Sequence, residues 1–140
     1  MHNEKQNFLN KFKVIPKHVF LIDALGALLT SILLAGILAQ FESYFGMPSK
    51  VLYVLSGVAF CIFIYSICCS LVIKSNWKSF LGILLVCNSI YLLASTALVF
   101  MYYEKLTVLG FIYFILEFFI IGVIVFVEFK SYSNQEYPLK

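Results

Sequence analysis

An all-α fold, four transmembrane helices in an antiparallel bundle, follows from three observations. The 140-residue chain is 62% hydrophobic and 12% charged, where soluble domains are about 25% charged. Its apolar residues fall into four runs, 19–41, 51–73, 79–103 and 106–127, each long enough to cross a hydrocarbon core about 30 Å thick. Asp23 and Glu117 are the only charges within them, and the rest gather where water accepts them. Helix is preferred to strand because each run is about twice the length of a barrel strand, and because lipid obliges every backbone amide to find an internal partner. One integral membrane domain over 1–140 results, with a basic segment 1–18 before the spans and a tail 128–140 after them.

The N-terminal segment carries Phe8, Leu9, Phe12 and Ile15 at helical spacing, with Lys5, Asn7, Asn10 and Lys11 away from them, until Pro16 ends the pattern. Two readings stand: an in-plane amphipathic helix whose lysines meet an anionic leaflet, or a basic tail that only sets topology. The first run contains Asp23 early and ends without a small-x-small cleavage site, so it is expected to remain as a span. Asp23, Ala27, Ser31, Ala35 and Ala39 recur every four residues along it. Such a stripe of small residues lets another helix approach closely, either a neighbour or a second copy of the chain; the Ala27, Ser31, Ala35, Ala39 face is the candidate for a homo-oligomer.

Gly46, Met47 and Pro48 punctuate the first loop, where the glycine closes one helix and Ser49 is placed to cap the next. The loops are short, which makes successive helices antiparallel neighbours. Orientation follows from lysine, since arginine is absent: Lys5, Lys11, Lys13, Lys17, Lys74, Lys78, Lys130 and Lys140 share one side, opposite Lys50 and Lys105. Both termini are therefore expected in the cytoplasm. Phe41, Tyr44, Phe45, Tyr53, Tyr102 and Tyr103 form an outer aromatic belt, and Trp77, Phe80, Phe129 and Tyr132 an inner one.

Glu117 sits near the middle of the last run, roughly 16 Å from either end at 1.5 Å per residue. No lysine, arginine or histidine occupies a run to pair with it, so its neutral carboxyl is favoured. Asn88, Thr30, Ser31 and Cys61 fall at similar depth, and Tyr113 lies one turn from Glu117 on the same helix. The predicted proton or solute site is thus Glu117, with Asn88 and Tyr113 tuning it and Asp23 as a further acid. Intramembrane acids tend to be functional, yet a protonated Glu117 bonded to Asn88 also serves as interhelical glue. Asp23, about four residues inside its run, reads either as an anchor favoured by the helix dipole or as a cation-attracting mouth. Cys61, Cys68, Cys69 and Cys87 all lie in the middle runs and read as small apolar residues.

Several chemistries lack their residues. His2 and His18 are the only histidines and neither lies in a run, which removes paired haem ligation, zinc-protease motifs and a Ser-His dyad within the membrane. A single aspartate leaves no two-aspartate protease. No phosphate-binding glycine motif occurs, and the net charge of +3 reflects topology and implies no nucleic-acid face. The residues point to no catalytic site, cofactor or metal.

The segments Phe20-Leu-Ile-Asp-Ala-Leu-Gly-Ala-Leu-Leu, Phe45-Gly-Met-Pro and Leu106-Thr-Val-Leu-Gly-Phe-Ile-Tyr-Phe-Ile-Leu-Glu117 resemble small bacterial four-helix membrane proteins of unassigned function. That resemblance implies a fold and no activity. Small multidrug exporters are similar in length and in having an acid in the first helix, but here the deep acid lies in the fourth. The expected function is a small oligomeric transport or permeation unit in a bacterial plasma membrane, non-enzymatic, with the lipid bilayer as its surroundings. The alternative is a scaffold or accessory subunit of a membrane complex.

Overall fold

In the computed structural model of the protein, the residues described are 3–4, 16–73 and 75–133. The segment carrying Phe8, Leu9, Phe12 and Ile15 lies outside them. Helix α1, Pro16–Leu33, opens on a proline, whose fixed φ and missing N–H suit the first helical position. It runs on through a π-helical turn, Leu34–Leu38. A short helix α2, Glu42–Phe45, precedes the long helices α3, Ser49–Val72, α4, Trp77–Met101, and α5, Val108–Ser133. Four stretches, Lys17–Leu38, Ser49–Val72, Trp77–Met101 and Val108–Ser133, are long and apolar enough to cross a membrane, so the chain is a four-span membrane protein that contacts lipid. The last of them extends beyond the apolar run 106–127 and takes in Glu128.

The four long helices pack as a bundle with its polarity inverted relative to a soluble protein. Leu25, Val72, Phe100, Val108 and Phe119 stand on the outside, while Asp23, Ser66, Ser95, Asn88, Glu117 and Glu128 are buried. Lipid is as apolar as leucine, so helix association here depends on close packing and internal hydrogen bonds. Buried positions on α3 follow a three-four spacing, Leu52, Leu55, Ser56, Ala59, Ile62, Ser66, and those on α4 do likewise, Leu81, Leu84, Asn88, Tyr91, Ser95. This is the stripe by which near-parallel helices interlock. The most extensive interface joins α1 and α3.

The small-residue stripe of α1 supplies that interface within the chain. Asp23, Ser31 and Ala39 are buried and Ala27 packs against the core. Steps of four residues overshoot a helical turn by about 40° each, which would carry Ala39 away from the face that Asp23 occupies. The π-helical turn is wider, with its Ala39 N–H bonded to the Leu34 carbonyl at 2.9 Å, and it offsets part of that drift.

Both loops at one end are stitched together. Gly46 closes α2 at φ 85°, its N–H donating to the Glu42 carbonyl at 2.7 Å. A Cβ there would meet the Lys105 carbonyl oxygen, so the residue needs glycine for both its backbone and its neighbour. The Thr107 N–H donates to the Phe45 carbonyl at 3.2 Å, and its hydroxyl donates to the Tyr44 carbonyl. Ser49, expected to cap α3, is instead its first residue; Pro48 occupies the cap position and its carbonyl receives the Val51 and Leu52 amides at 3.0 and 3.2 Å. At the opposite end Asn76 turns the chain at φ 57°, and the Lys78 ammonium lies 4.9 Å from the centre of the Tyr132 ring, joining the start of α4 to the end of α5.

Candidate functional site

The buried polar groups form three clusters in the bundle, and by residue spacing the Ser31–Ser56 and Glu117 levels stand at about the same depth. At the first, Ser31 and Ser56 bind each other's helices: the Ser56 hydroxyl donates to the Ser31 carbonyl at 2.9 Å and the Ser31 hydroxyl to the Ser56 carbonyl at 3.1 Å. Short side chains reaching the opposite backbone require α1 and α3 to be close, which the small residues permit. This level is structural in character.

The second level draws one side chain from each long helix. The Asn88 amide on α4 donates from Nδ2 to Asp23 Oδ1 on α1 at 2.6 Å and to Glu128 Oε1 on α5 at 2.9 Å. The Ser66 hydroxyl on α3 donates to Asp23 Oδ2. Among the described residues no N–H or hydroxyl donates to Glu128 Oε2. Two carboxyls thus share a single amide, with Asp23 2% and Glu128 0% exposed. Among the described residues no cationic side chain bonds to either acid, and the two carboxyls lie within hydrogen-bonding reach of each other.

The third level belongs to Glu117. The Tyr91 hydroxyl donates to Oε1 at 2.9 Å and the Ser95 hydroxyl to Oε2 at 3.1 Å, both from α4. Each oxygen of this carboxyl therefore has a partner. Glu117 and Glu128 are eleven residues apart on α5, three helical turns, so they share a face at a separation of roughly 16 Å along the axis.

A cavity of about 20 Å³ lies between these two levels, bordered by Asp23, Thr30, Asn88 and Tyr91 among its polar neighbours and by Ile121 and Ile124 of α5. That volume accommodates about one water-sized particle, and the polar lining supplies the partners one needs. The sequence Ser95, Glu117, Tyr91, cavity, Asn88, Asp23 with Glu128 is consequently a nearly continuous polar column through an apolar bundle.

Of the residues expected from sequence, Glu117, Asn88 and Asp23 are all buried here; Asn88 and Asp23 meet, and Glu117 stands apart from them. Asn88 serves Asp23 and Glu128, and the partner of Glu117 expected there is replaced by Tyr91 and Ser95. Tyr113 is half-buried and packs its ring edge against Phe114 and Phe45, with centroids 5.2 and 6.5 Å away. It makes no hydrogen bond to Glu117 among the described residues. Asp23, read as near the membrane edge, is enclosed by α3, α4 and α5. Ser66, Tyr91, Ser95 and Glu128 were not singled out from sequence. The spacing Asn88, Tyr91, Ser95 and the eleven-residue interval from Glu117 to Glu128 are the signals that place them on the same faces.

The cysteines are free, with Cys69 buried and Cys61, Cys68 and Cys87 on the outside of the bundle. Among the described residues no three His, Cys, Asp or Glu side chains converge as metal ligands do. No family model matches the chain, and no curated protein or solved structure matches it either.

Proposed function

We propose that the protein is a small transport or permeation unit, without enzymatic activity, in which the buried carboxyls take up and release protons. The observation that carries this reading is the Asp23–Glu128 pair, two acids from different helices sharing one neutral amide, with no cation bonded to either among the described residues. Two negative charges at that spacing in a medium of low dielectric repel strongly, and one proton held between them relieves the repulsion. Gaining or losing that proton changes what α1 and α5 do to each other, which is the kind of two-state element that coupled transport uses. Glu117, joined through Tyr91 to the shared cavity, serves as the second protonatable station.

Four helices enclose little volume, so the working unit is an oligomer. Since Ser31 and Ala39 of the small-residue face are buried within the chain, a second copy that uses this face meets mainly Ala27 and Ala35 at its margin. The lysine distribution favours cytoplasmic termini, and the proposed location is a bacterial plasma membrane.

The test is proton flux into vesicles that hold the purified protein, read by an internal pH dye under an imposed gradient. Wild type is expected to exceed empty vesicles, and Glu117→Gln and Glu128→Gln to lower the rate about tenfold or more, the usual scale for loss of a proton-transfer group. A wild-type rate equal to that of empty vesicles overturns the reading. A second reading, a scaffold or accessory subunit whose polar groups only fix helix packing, is favoured by the complete hydrogen bonding of Glu117. It expects the same substitutions to change thermal stability or bound partners and no flux to exist.

A further inference from the structure

We propose that the single proton of the Asp23–Glu128 pair sits on Glu128 Oε2 and is donated to Asp23, and that Ser66 is the positioning residue that sends it there. The inference deepens the transport reading by naming the group that carries the proton, and rests on that reading for its use though not for the assignment itself.

Two carboxyls in like surroundings hold a shared proton as a pair, and neither owns it. These two have unlike surroundings. Asp23 accepts a hydrogen bond at each oxygen, from Asn88 Nδ2 at 2.6 Å and from the Ser66 hydroxyl, whereas Glu128 accepts one, at Oε1, from the same amide at 2.9 Å. Hydrogen bonds to a carboxylate favour its charged form, and the shorter of the two amide bonds is the one expected at the charged oxygen. The charge therefore falls on Asp23 and the proton on Glu128.

Glu128 Oε2 supplies an independent observation. It is completely buried and has no donor among the described residues, a costly state for a carboxylate oxygen. A protonated carboxyl, by contrast, carries one O–H donor. With Oε1 accepting from Asn88 as the carbonyl oxygen, Oε2 is the oxygen that bears the hydrogen, and the Asp23 carboxylate lies within hydrogen-bonding reach. An orphaned acceptor becomes a satisfied donor.

Asn88 spends one amino hydrogen on each acid, so by number it prefers neither. Ser66 donates to Asp23 alone. The hydroxyl on α3 is thus what makes the acids unequal. Release breaks the Glu128 O–H bond, passes the proton to water and leaves two adjacent carboxylates; uptake forms the bond again at the same oxygen.

The test is infrared spectroscopy of the full chain in lipid at neutral pH, with ¹³C in the side-chain carboxyl of aspartate. The chain has one aspartate, so the label reports Asp23 alone. The isotope shift is expected in the carboxylate bands and absent from the protonated-carboxyl band. In a Glu117→Gln background, the remaining protonated-carboxyl band is expected to disappear with Glu128→Gln. Ser66→Ala is expected to bring roughly a third or more of the label into the protonated band, since each acid then keeps one donor. Ser66→Thr, which retains the hydroxyl, is expected to keep the wild-type pattern. Label in the wild-type protonated band overturns the proposal, as does a protonated band that survives Glu128→Gln or a spectrum that Ser66→Ala leaves unchanged. An ionised Asp23 in a protein without vesicle proton flux supports the assignment and removes the transport reading, whereas flux with a protonated Asp23 does the reverse.

Discussion

Tyr91 and Tyr113 are both close to Glu117 in sequence-derived terms of depth, yet only Tyr91 donates a hydrogen bond to it. Removing the Tyr91 hydroxyl leaves Glu117 Oε1 without a donor and Ser95, on Oε2, as the only partner of the carboxyl among the described residues, whereas the Tyr113 ring is held by aromatic edges. Tyr91→Phe is therefore expected to lower stability by about 1–2 kcal/mol, the scale of an unsatisfied buried acceptor. Tyr113→Phe is expected to stay within about 0.5 kcal/mol. Steric-trap or thermal unfolding in the same lipid reads the contrast, and equal losses in the two variants would remove Tyr91 from its assigned place. Interhelical hydrogen bonds in membranes average only about 0.6 kcal/mol. A larger value at Tyr91 would show that no substitute donor reaches Glu117.

Helix ends are governed by backbone demands that single positions reveal. Gly46 has a left-handed φ of 85° and would press a Cβ onto the Lys105 carbonyl. Gly57, within α3, has no heavy atom within 4 Å of its added Cβ. Gly46→Ala should thus cost about 1–2 kcal/mol from conformation alone, and more from parting the two loops, while Gly57→Ala stays within about 0.5 kcal/mol. Paired melting curves decide it; a harmless Gly46→Ala contradicts the stitched loops. The π-helical turn acts on the same scale, bending the α1 stripe so that Asp23 and Ala39 are both covered.

The start of α1 and the end of α5 lie at the same end of the bundle, because an even number of antiparallel spans returns the chain to its starting side. The lysine asymmetry predicts that this side is cytoplasmic. With Ser43→Cys and Ser75→Cys made separately, an impermeant maleimide applied to intact cells is expected to label the first and spare the second. The exposed loop positions make both reachable from their own side, and the unmodified chain, whose outward cysteines lie within the spans, serves as the blank. The opposite labelling pattern would invert the topology and leave the bundle itself intact.

Hydropathy is a property of consecutive residues, so the chain's own order determined the number of spans, their helical nature, their short connections and the presence of deep acids such as Glu117. It also made the α1 stripe visible, since Ala27, Ser31 and Ala35 need no knowledge of a partner to be recognised as small. A charge ends an apolar run in sequence whether or not the helix continues, and α5 continues past 127 to carry Glu128. Which donor meets which acid depended on the rotation and register of four helices about one another. Residues far apart in the chain, Asp23, Ser66, Asn88 and Glu128, meet only when those are set. Only the tertiary structure decided that Asn88 serves Asp23 and Glu128 while Tyr91 and Ser95 serve Glu117, because depth is additive along a chain and facing is not.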